Sequence, residues 1–315
     1  MRALRTTLLI IALIAAALLL VGALATYWEP ADLINIGREQ IAWTAIVAGL
    51  ALAWAGRRRV PTLLFACMAA LLGAACLVPP ARPAACAQGQ PGIRLLWYNL
   101  GGADRLDLER TVDWIRSQDA DIIGLAEAKA GDRSAIIARL RPDYPAVQSC
   151  LRDGRCSTLL LSRLPIQSSS ALARGDPENR KALSAVTMTL ARTLARPRVT
   201  LAAIHLSWPL PMGKQRTELG ELFTATGADP RLIMMGDFNM PETMRAFAGF
   251  LEWTGLRAAD PGRATWPLRL GARRTIPQLG IDHLLLGDAW GLRSVRALDG
   301  AGSDHRGLVA EVCPL

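Results

Sequence analysis

The residues of this chain best suited to chemistry are acids, amides and histidines that stand directly after short apolar runs. Asn99 follows Leu-Leu-Trp-Tyr, Glu127 follows Ile-Ile-Gly-Leu-Ala, and His205 follows Leu-Ala-Ala-Ile. Asp237 and Asn239 stand in the same way after Leu-Ile-Met-Met-Gly. Carboxylates can bind cations or accept protons, and an imidazole can give or hold a proton near neutral pH. Polar groups at strand ends can gather at one rim of a sheet and form a site there.

Two Asp-His steps complete the set. Asp282-His283 opens a predicted strand and Asp304-His305 precedes the last one; with His205 these are all three histidines of the chain. Taken singly, each residue has a simpler interpretation: an acid at a strand end can cap a turn, and His205 can be a buried core histidine. For the whole set to lack a function, every one of these simpler interpretations would have to be true at once. The set as a whole therefore favours a functional site.

The elements that must position these residues follow an alternating pattern. Beyond residue 92, short apolar runs alternate with segments of helical periodicity, which predicts an α/β fold without giving the strand order. The predicted strands are 93–98, 121–126, 158–162, 199–206, 232–235, 281–286 and 307–312. Helices are predicted over 105–118 and around Leu219, Leu222 and Phe223.

The first 80 residues differ in composition from the rest. The chain is 51% hydrophobic with a mean hydropathy of +0.23, which excludes a disordered chain. The apolar excess lies in three runs at about 8–25, 41–55 and 60–78, predicted as transmembrane helices, with buried core helices as the alternative. Residues 1–79 thus form a predicted membrane anchor, 80–92 a proline-rich linker, and 93–315 a separate domain.

Basic residues give the predicted orientation of the anchor. Arg2 and Arg5 precede the first span, and Arg57, Arg58 and Arg59 separate the second from the third. By the positive-inside rule these ends face the cytoplasm, so three spans leave the domain outside it, on the periplasmic or extracellular side of an inner membrane. Cleavage after a signal-like Ala23-Leu24-Ala25 is the alternative for the first run, and it leaves that side unchanged.

Cysteine spacing also indicates an oxidising compartment. Cys150 and Cys156 flank Asp153-Gly154, a dipeptide that favours a tight hairpin and would bring the two cysteines together. Two free thiols are the alternative. A second pairing, Cys86 with Cys313, would join the two ends of the domain. The net charge of +9 comes with no long basic block, so it indicates no dedicated nucleic-acid face.

Six motifs occur in the order seen in one known family. They are Tyr98-Asn99-Leu100, Ala126-Glu127-Ala128, Ile204-His205-Leu206, Gly236-Asp237-Phe238-Asn239, Ile281-Asp282-His283 and Ser303-Asp304-His305. In this order the chain resembles the endonuclease/exonuclease/phosphatase family, of which deoxyribonuclease I is a member. The resemblance implies a two-sheet, four-layered α/β sandwich and metal-dependent hydrolysis of phosphoesters by a membrane-anchored enzyme.

The resemblance also implies a cofactor and its ligands. Magnesium, with manganese possible, prefers oxygen ligands and needs only one or two carboxylates from the protein. Glu127 is then the first metal ligand, Asp304 a second contributor and Asn99 a further contact. Whether one or two ions bind stays open.

The remaining motif residues take catalytic or phosphate-binding roles by the same resemblance. His305 would lie against the phosphate and be oriented by Asp282. Asp237 would position or activate the attacking water, or touch a metal. His205 and Asn239 would contact the phosphate, as would the amide of Asn99.

Some features depart from the family pattern or suit other classes. No tyrosine lies between Arg163 and His205, and His283 is interpreted as structural. An inactive, ligand-binding member of the fold is the main alternative. A serine or zinc hydrolase is disfavoured, because no Gly-x-Ser-x-Gly, His-x-x-x-His or Cys-x-x-Cys motif occurs. The phosphoester substrate stays open between nucleic acid, lipid head group and small molecule, and nothing indicates an obligate protein partner.

Overall fold

The computed structural model describes residues 2–56, 81–101, 106–149, 158–173, 183–191, 198–210, 212–227, 229–270 and 273–315, with isolated positions between 64 and 75. The chain divides into two compact units. The first contains Met1–Pro80 with Pro241–Gly249, and the second contains Ala81–Met240 with Phe250–Leu315.

Three α-helices lie in the described part of the first unit before residue 57: α1 Arg2–Ala23, α2 Asp32–Asn35 and α3 Arg38–Gly56. Two short 3-10 helices, Leu24–Thr26 and Glu29–Ala31, lie between α1 and α2. The helices α1 and α3 contact each other through small and aliphatic side chains, namely Ala15, Leu19, Ala42 and Ala45. Small residues let helix backbones approach closely, as they do between helices in a bilayer.

Among the described residues, one helical stretch, Ala3–Thr26, is long and apolar enough to cross a membrane. The second predicted span, 41–55, lies inside α3, which is helical there but begins with the polar run Arg38-Glu39-Gln40. The third predicted span, 60–78, lies mostly outside the described residues. Of the three predicted spans, only the first therefore matches a helix that could cross a membrane among the described residues. A membrane anchor and a secretory signal would both have such a helix.

The first unit also contains a helix cap formed between residues distant in sequence. The carboxylate of Asp32 accepts hydrogen bonds from the backbone N–H groups of Arg245 (2.7 Å) and Ala246 (2.9 Å). Asn35 donates to the same carboxylate at 2.7 Å, and the Thr243 hydroxyl donates to the carbonyl of Asn35. Asp32 thus satisfies the free donors at the start of the helix that begins at Arg245.

The second unit is built on fourteen described strands and the helices that flank them. The strands are β1 Ile93–Asn99, β2 Ile122–Ala126, β3 Ala146–Ser149, β4 Leu159–Ser162, β5 Ile166–Ala173, β6 Ser184–Leu190, β7 Val199–His205, β8 Leu232–Asp237, β9 Arg257–Ala258, β10 Trp266–Leu270, β11 Arg273–Leu279, β12 Asp282–Leu286, β13 Trp290–Asp299 and β14 Arg306–Pro314. The helices are α4 Leu108–Ser117, α5 Ala130–Leu140, α6 Lys214–Thr226 and α7 Arg245–Thr254, the last of which begins in the first unit.

Two six-stranded sheets have the same pairing pattern. Their strand orders are β13-β14-β1-β2-β4-β3 and β5-β6-β7-β8-β12-β9, and β10–β11 form a separate pair. In each large sheet one pair, β1–β2 or β7–β8, is parallel. The other neighbouring strands are antiparallel. Each sheet therefore presents the carboxyl ends of one parallel pair at one edge.

The main core lies between the two sheets. It is formed by inward side chains of both, among them Trp97, Leu201, Met235, Leu284 and Leu308. A second core lies on the outer face of the first sheet, where Val112 and Ile115 of α4 and Ile136 and Leu140 of α5 cover it. With helices outside both sheets, the unit is the predicted α/β sandwich.

A disulfide joins Cys86, before β1, to Cys313 in β14, with their Cα atoms 5.9 Å apart. This is the pairing that would join the two ends of the domain. The other predicted pair, Cys150 with Cys156, lies outside the described residues.

Candidate active site

The strand register explains how residues distant in sequence meet. In the second sheet His205 pairs with Asp237, and Asp237 pairs with Asp282 on its other side, so these residues lie in one row across β7, β8 and β12. In the first sheet Asn99 ends β1 beside Ala126, and Glu127 follows immediately. Both parallel pairs thus deliver their polar ends to the same site.

Glu127 and Asn99 are held by unusual local geometry. Glu127 has a φ of 54°, a left-handed conformation that is uncommon for a residue other than glycine. The Asn99 amide donates to Asp237 Oδ2 at 2.9 Å and to Glu127 Oε1 at 3.4 Å, while its oxygen accepts the Gly101 N–H at 2.9 Å. Because the N–H of Gly101 fixes which side is oxygen, the donor side of Asn99 faces the two carboxylates. Asn99 therefore bridges the carboxylates of the two sheets.

Gly101 leaves the space that Glu127 needs. A Cβ at this position would lie 2.6 Å from Glu127 Oε2 and 2.8 Å from its carboxyl carbon. Contacts this short do not occur between real atoms of these types, so any side chain here would displace the glutamate.

Glu127, His205 and Asp237 form a compact group of potential metal ligands. His205 Nε2 lies 3.7 Å from Glu127 Oε1 and 3.8 Å from Asp237 Oδ2, and the ligand atoms of the three residues all lie within 4.8 Å of one another. His205 and Asp237 are buried, whereas the side chain of Glu127 is 30% exposed and open to solvent. Two carboxylates converging on one point fit a hard divalent cation.

A second group joins Asp237 to Asp282 and His305. His305 Nδ1 lies 2.7 Å from Asp282 Oδ2, and His305 Nε2 lies 3.9 Å from Asp237 Oδ2. The backbone N–H of His305 donates to Ser303 Oγ, whose hydroxyl donates to the Asn99 carbonyl. The loop before β14 is thereby fixed to the end of β1, and the Asp282–His305 pair expected from the sequence is formed.

Charge and burial act against each other in this pair. Burial alone would lower the pKa of His305, but the nearby carboxylates of Asp282, Asp237 and Asp304 raise it to about 9. Burial alone would raise the pKa of Asp282, but the charge of His305 and several hydrogen bonds outweigh burial and lower it. The pair is therefore an imidazolium and a carboxylate at neutral pH.

The pKa of Asp237 is shifted in the opposite direction to that of Asp282. Its burial, and next the charge of Asp282, raise its pKa above the ordinary value for an aspartate, although both histidines act against this. A carboxylate whose pKa is raised takes up a proton more readily. Asp237 is therefore suited to accept one.

Asn239 and the loops behind it are fixed by buried polar side chains. Asn239 has a φ of 49°; its amide donates to the Leu206 carbonyl at 2.8 Å and its N–H donates to Asp237 Oδ1 at 2.8 Å. Gln215 donates to the carbonyls of Ser207 and Phe238 at 2.7 and 3.0 Å. Both loops at the carboxyl ends of β7 and β8 are thus held by one glutamine of α6.

His283 has a structural environment, as expected. Its ring nitrogens contact Asp260 Oδ2 at 3.1 Å and the Met240 carbonyl at 2.8 Å, and it is 1% exposed. It directly follows Asp282 on β12, and its contact with Met240 fixes the chain just after Asn239. Asp304 is half-buried, and its N–H donates to the Gly101 carbonyl; it belongs to neither of the two ligand groups found among the described residues.

Several residues of the site region were not predicted from the sequence. Trp97 Nε1 donates to Asp282 Oδ1 at 2.8 Å, and Thr265 Oγ1 accepts the backbone N–H of Asp282 at 3.2 Å. Trp266 lies with its ring centroid 6.5 Å from that of His305 and contacts the exposed Trp208 edge-on at 6.2 Å. The only signal for Trp97 and Trp266 was their aromatic character, which equally fits a core position.

A family model described as "Endonuclease/Exonuclease/phosphatase family" matches residues 96–305, so the chain belongs to this family. A search of curated proteins found no match. The fold is similar to a family protein from Bacteroides thetaiotaomicron, with 15% identity, a TM-score of 0.58, and 73% of this chain and 98% of that chain covered.

Two further solved structures show the same fold. TDP2 from D. rerio, complexed with a single-strand DNA product, has 15% identity and a TM-score of 0.53, covering 70% of this chain and 98% of that one. Sphingomyelinase C from Streptomyces griseocarneus has 15% identity and a TM-score of 0.50, covering 70% and 99%. At these identities the likeness shows the fold alone.

Proposed function

We propose that this protein is a divalent-metal-dependent phosphoester hydrolase. The observation that carries the proposal is the position of Asp237, whose Oδ2 lies 3.8 Å from His205 Nε2 in one ligand group and 3.9 Å from His305 Nε2 in the other. The carboxylate of Asp237 therefore belongs both to the group of potential metal ligands and to the group that contains the Asp282–His305 pair. Members of the family act on phosphoesters, and they typically require a divalent metal.

Glu127 and Asp237 are the carboxylates that would hold magnesium or manganese, with His205 beside them. When bound, such an ion supplies positive charge that offsets the charge of a phosphate and of its transition state. Glu127 faces solvent, which gives the ion and the substrate access. In this proposal Asp304 is a second contributor to metal binding, and Asn99 contacts the metal or its bound groups.

The proton-holding groups have complementary roles. His305, an imidazolium fixed by Asp282, would donate to an oxygen on which negative charge develops, and His205 would be a second donor. Asp237, which lies between the two histidines, would position or activate the attacking water. The amides of Asn99 and Asn239 would contact phosphate oxygens or hold the groups that do.

The proposal includes a location in the inner membrane with the domain on the periplasmic or extracellular side. Its support is the apolar stretch Ala3–Thr26, the arginines at 57–59 and the Cys86–Cys313 disulfide. Disulfides persist in oxidising compartments and are rare in the cytosol.

The substrate is best sought with a panel. The full-length chain, purified in detergent, would be assayed with Mg²⁺ or Mn²⁺ on DNA, RNA, phospholipids, sphingomyelin and inositol phosphates. One fold neighbour holds a DNA product and another is a sphingomyelinase, so both substrate classes belong in the panel. We expect turnover on at least one substrate, lost with EDTA and restored by the metal.

Glu127→Ala is the matched test of the metal role. Removing this carboxylate should lower turnover at least a hundredfold at limiting Mg²⁺, because the ion loses an anionic ligand. Asp143→Ala, which removes an exposed acid that pairs with Arg116, is the control and should leave turnover unchanged. Turnover that persists without metal, or that is equal in both variants, would contradict the proposal. Metal binding without turnover on any substrate would favour the inactive, ligand-binding alternative.

A further inference from the structure

Trp97 occupies an unusual position for a core tryptophan. It lies on β1 in the first sheet, is fully buried, and belongs to the core between the sheets. Its indole Nε1 nevertheless donates a 2.8 Å hydrogen bond to Oδ1 of Asp282, which lies on β12 in the second sheet. The first sheet therefore provides a hydrogen-bond donor to Asp282, one of the three site residues that pair across the second sheet.

The bond completes the environment of the Asp282 carboxylate. Oδ2 faces His305 Nδ1 at 2.7 Å, and Oδ1 faces the indole. Thr265 Oγ1 accepts the backbone N–H of Asp282, and the Thr265 carbonyl accepts the N–H of Arg306, next to His305. With a partner on each oxygen and the backbone fixed, the carboxylate has one orientation.

We propose that Trp97 is a positioning residue of the active site, which fixes the rotation of the Asp282 carboxylate so that its other oxygen holds His305. The inference rests on the proposed function, because it assigns Trp97 a part in the same reaction. Nothing in its role requires contact with the substrate.

Physical chemistry explains why an indole is needed at this position. Asp282 is 0% exposed, and a buried carboxylate oxygen without a donor carries a large desolvation penalty. An aliphatic residue or phenylalanine at 97 would fill the core but leave Oδ1 without this donor. The carboxylate could then rotate or admit water, and the imidazole would lose its fixed partner.

Trp97→Phe tests the inference, with Trp290→Phe as the matched control. Trp290 is also a buried core tryptophan, and its Nε1 donates at 2.9 Å to the Arg231 carbonyl, a group with no part in the site. Both variants lose one indole hydrogen bond and a similar volume, so their melting temperatures should fall by similar amounts. Only Trp97→Phe should lower kcat, by about 10- to 100-fold, with KM changed less than threefold. Equal kcat losses in both variants, or a loss confined to KM, would overturn the inference.

A double-mutant cycle tests whether Trp97 acts through Asp282. In the Asp282→Asn background, Trp97→Phe should lower kcat by less than threefold, because the group it positions is already altered. A loss equal to that in the wild-type background would mean that Trp97 acts elsewhere.

A third measurement needs no turnover and no tryptophan variant that might misfold. In full-length protein with ¹⁵N-labelled tryptophan, Asp282→Asn should shift the Nε1–H resonance of Trp97 upfield, since its acceptor loses its charge, and leave that of Trp290 in place. An unmoved Trp97 resonance would overturn the inference. Absence of turnover on every substrate would contradict the proposed function and leave this readout intact.

Discussion

Asp237 is the residue on which the whole site converges. Its Oδ2 accepts the Asn99 amide at 2.9 Å and lies within 4 Å of both His205 Nε2 and His305 Nε2. Its Oδ1 accepts the N–H of Asn239. A single carboxylate thus couples the ligand group around Glu127 to the proton-holding pair around His305.

The first prediction concerns the charge of His305. Its pKa is raised to about 9 against an ordinary value of 6.5, so the folded state holds a proton that the unfolded chain releases. The stability that this pair contributes should be complete below about pH 6.5 and lost as pH rises through about 9. NMR titration of the metal-free chain should show the imidazolium persisting to that pH, and Asp282→Asn should lower its pKa. A His305 that titrates near 6.5 would contradict this.

The second prediction is that His305 and Asp282 act as a unit. His305→Ala should cost about 3–5 kcal/mol of transition-state stabilisation, as loss of other preorganised donors does. Asp282→Asn should lose much of the same rate, because the ring is no longer oriented. The double variant, compared by kcat/KM, should be little worse than His305→Ala alone. A double loss equal to the sum of the single losses would show that the two act separately.

At the residue scale, the polar site residues that end strands could be predicted from the sequence. The residues that hydrogen-bond to them and hold them in place could not. Glu127, His205 and Asp237 could be recognised because each breaks an apolar run. Trp97 and Thr265 could not, because their roles depend on which strand lies opposite, and strand order cannot be read from local pattern.

The elements that carry the site are those the sequence predicts best. The strands β2, β7 and β8 are buried along their whole length and are mostly apolar, which makes them recognisable in the sequence. Two of the strands that were not predicted bury fewer apolar side chains: β5 contains three consecutive serines, and β13 is buried only at its first two positions. Such edge strands are defined by their partners more than by their own composition.

The third prediction concerns the cap of α7. Asp32→Ala removes the carboxylate that accepts the N–H groups of Arg245 and Ala246, and such caps contribute about 1 kcal/mol. Hydrogen exchange of the full-length chain should show amides at the start of α7 exchanging roughly fivefold faster. Glu29→Ala, which removes another acid from the same connecting segment, should leave them unchanged. Equal exchange in both variants would mean that the Asp32 cap does not stabilise α7.

On the scale of the whole molecule, the fourth prediction tests topology. Alkaline phosphatase fused after residue 90 should be active and a fusion at residue 59 inactive, because the arginines at 57–59 favour the cytoplasmic side. The reverse pattern would refute the proposed orientation.

The fifth prediction concerns the Cys86–Cys313 disulfide. Replacing both cysteines by serine should lower the free energy of unfolding of the domain by about 2–5 kcal/mol, since the bond closes a long loop. Chemical denaturation of the full-length chain with and without reductant should show a matching difference. Cys67→Ser, at a free and exposed cysteine, is the control and should have no such effect.

The same bond gives the chain between residues 86 and 313 the connectivity of a ring. A single protease cut in any loop of that ring would leave one covalent molecule, with all the strands that carry the site still linked. Reduction after the cut would separate the fragments, so a nicked sample should run as one band on a denaturing gel without thiol and as two with it. The adjacency of the two cysteines also makes the domain a natural subject for circular permutation, in which residues near 86 and 313 are joined by peptide and new ends are opened in a surface loop.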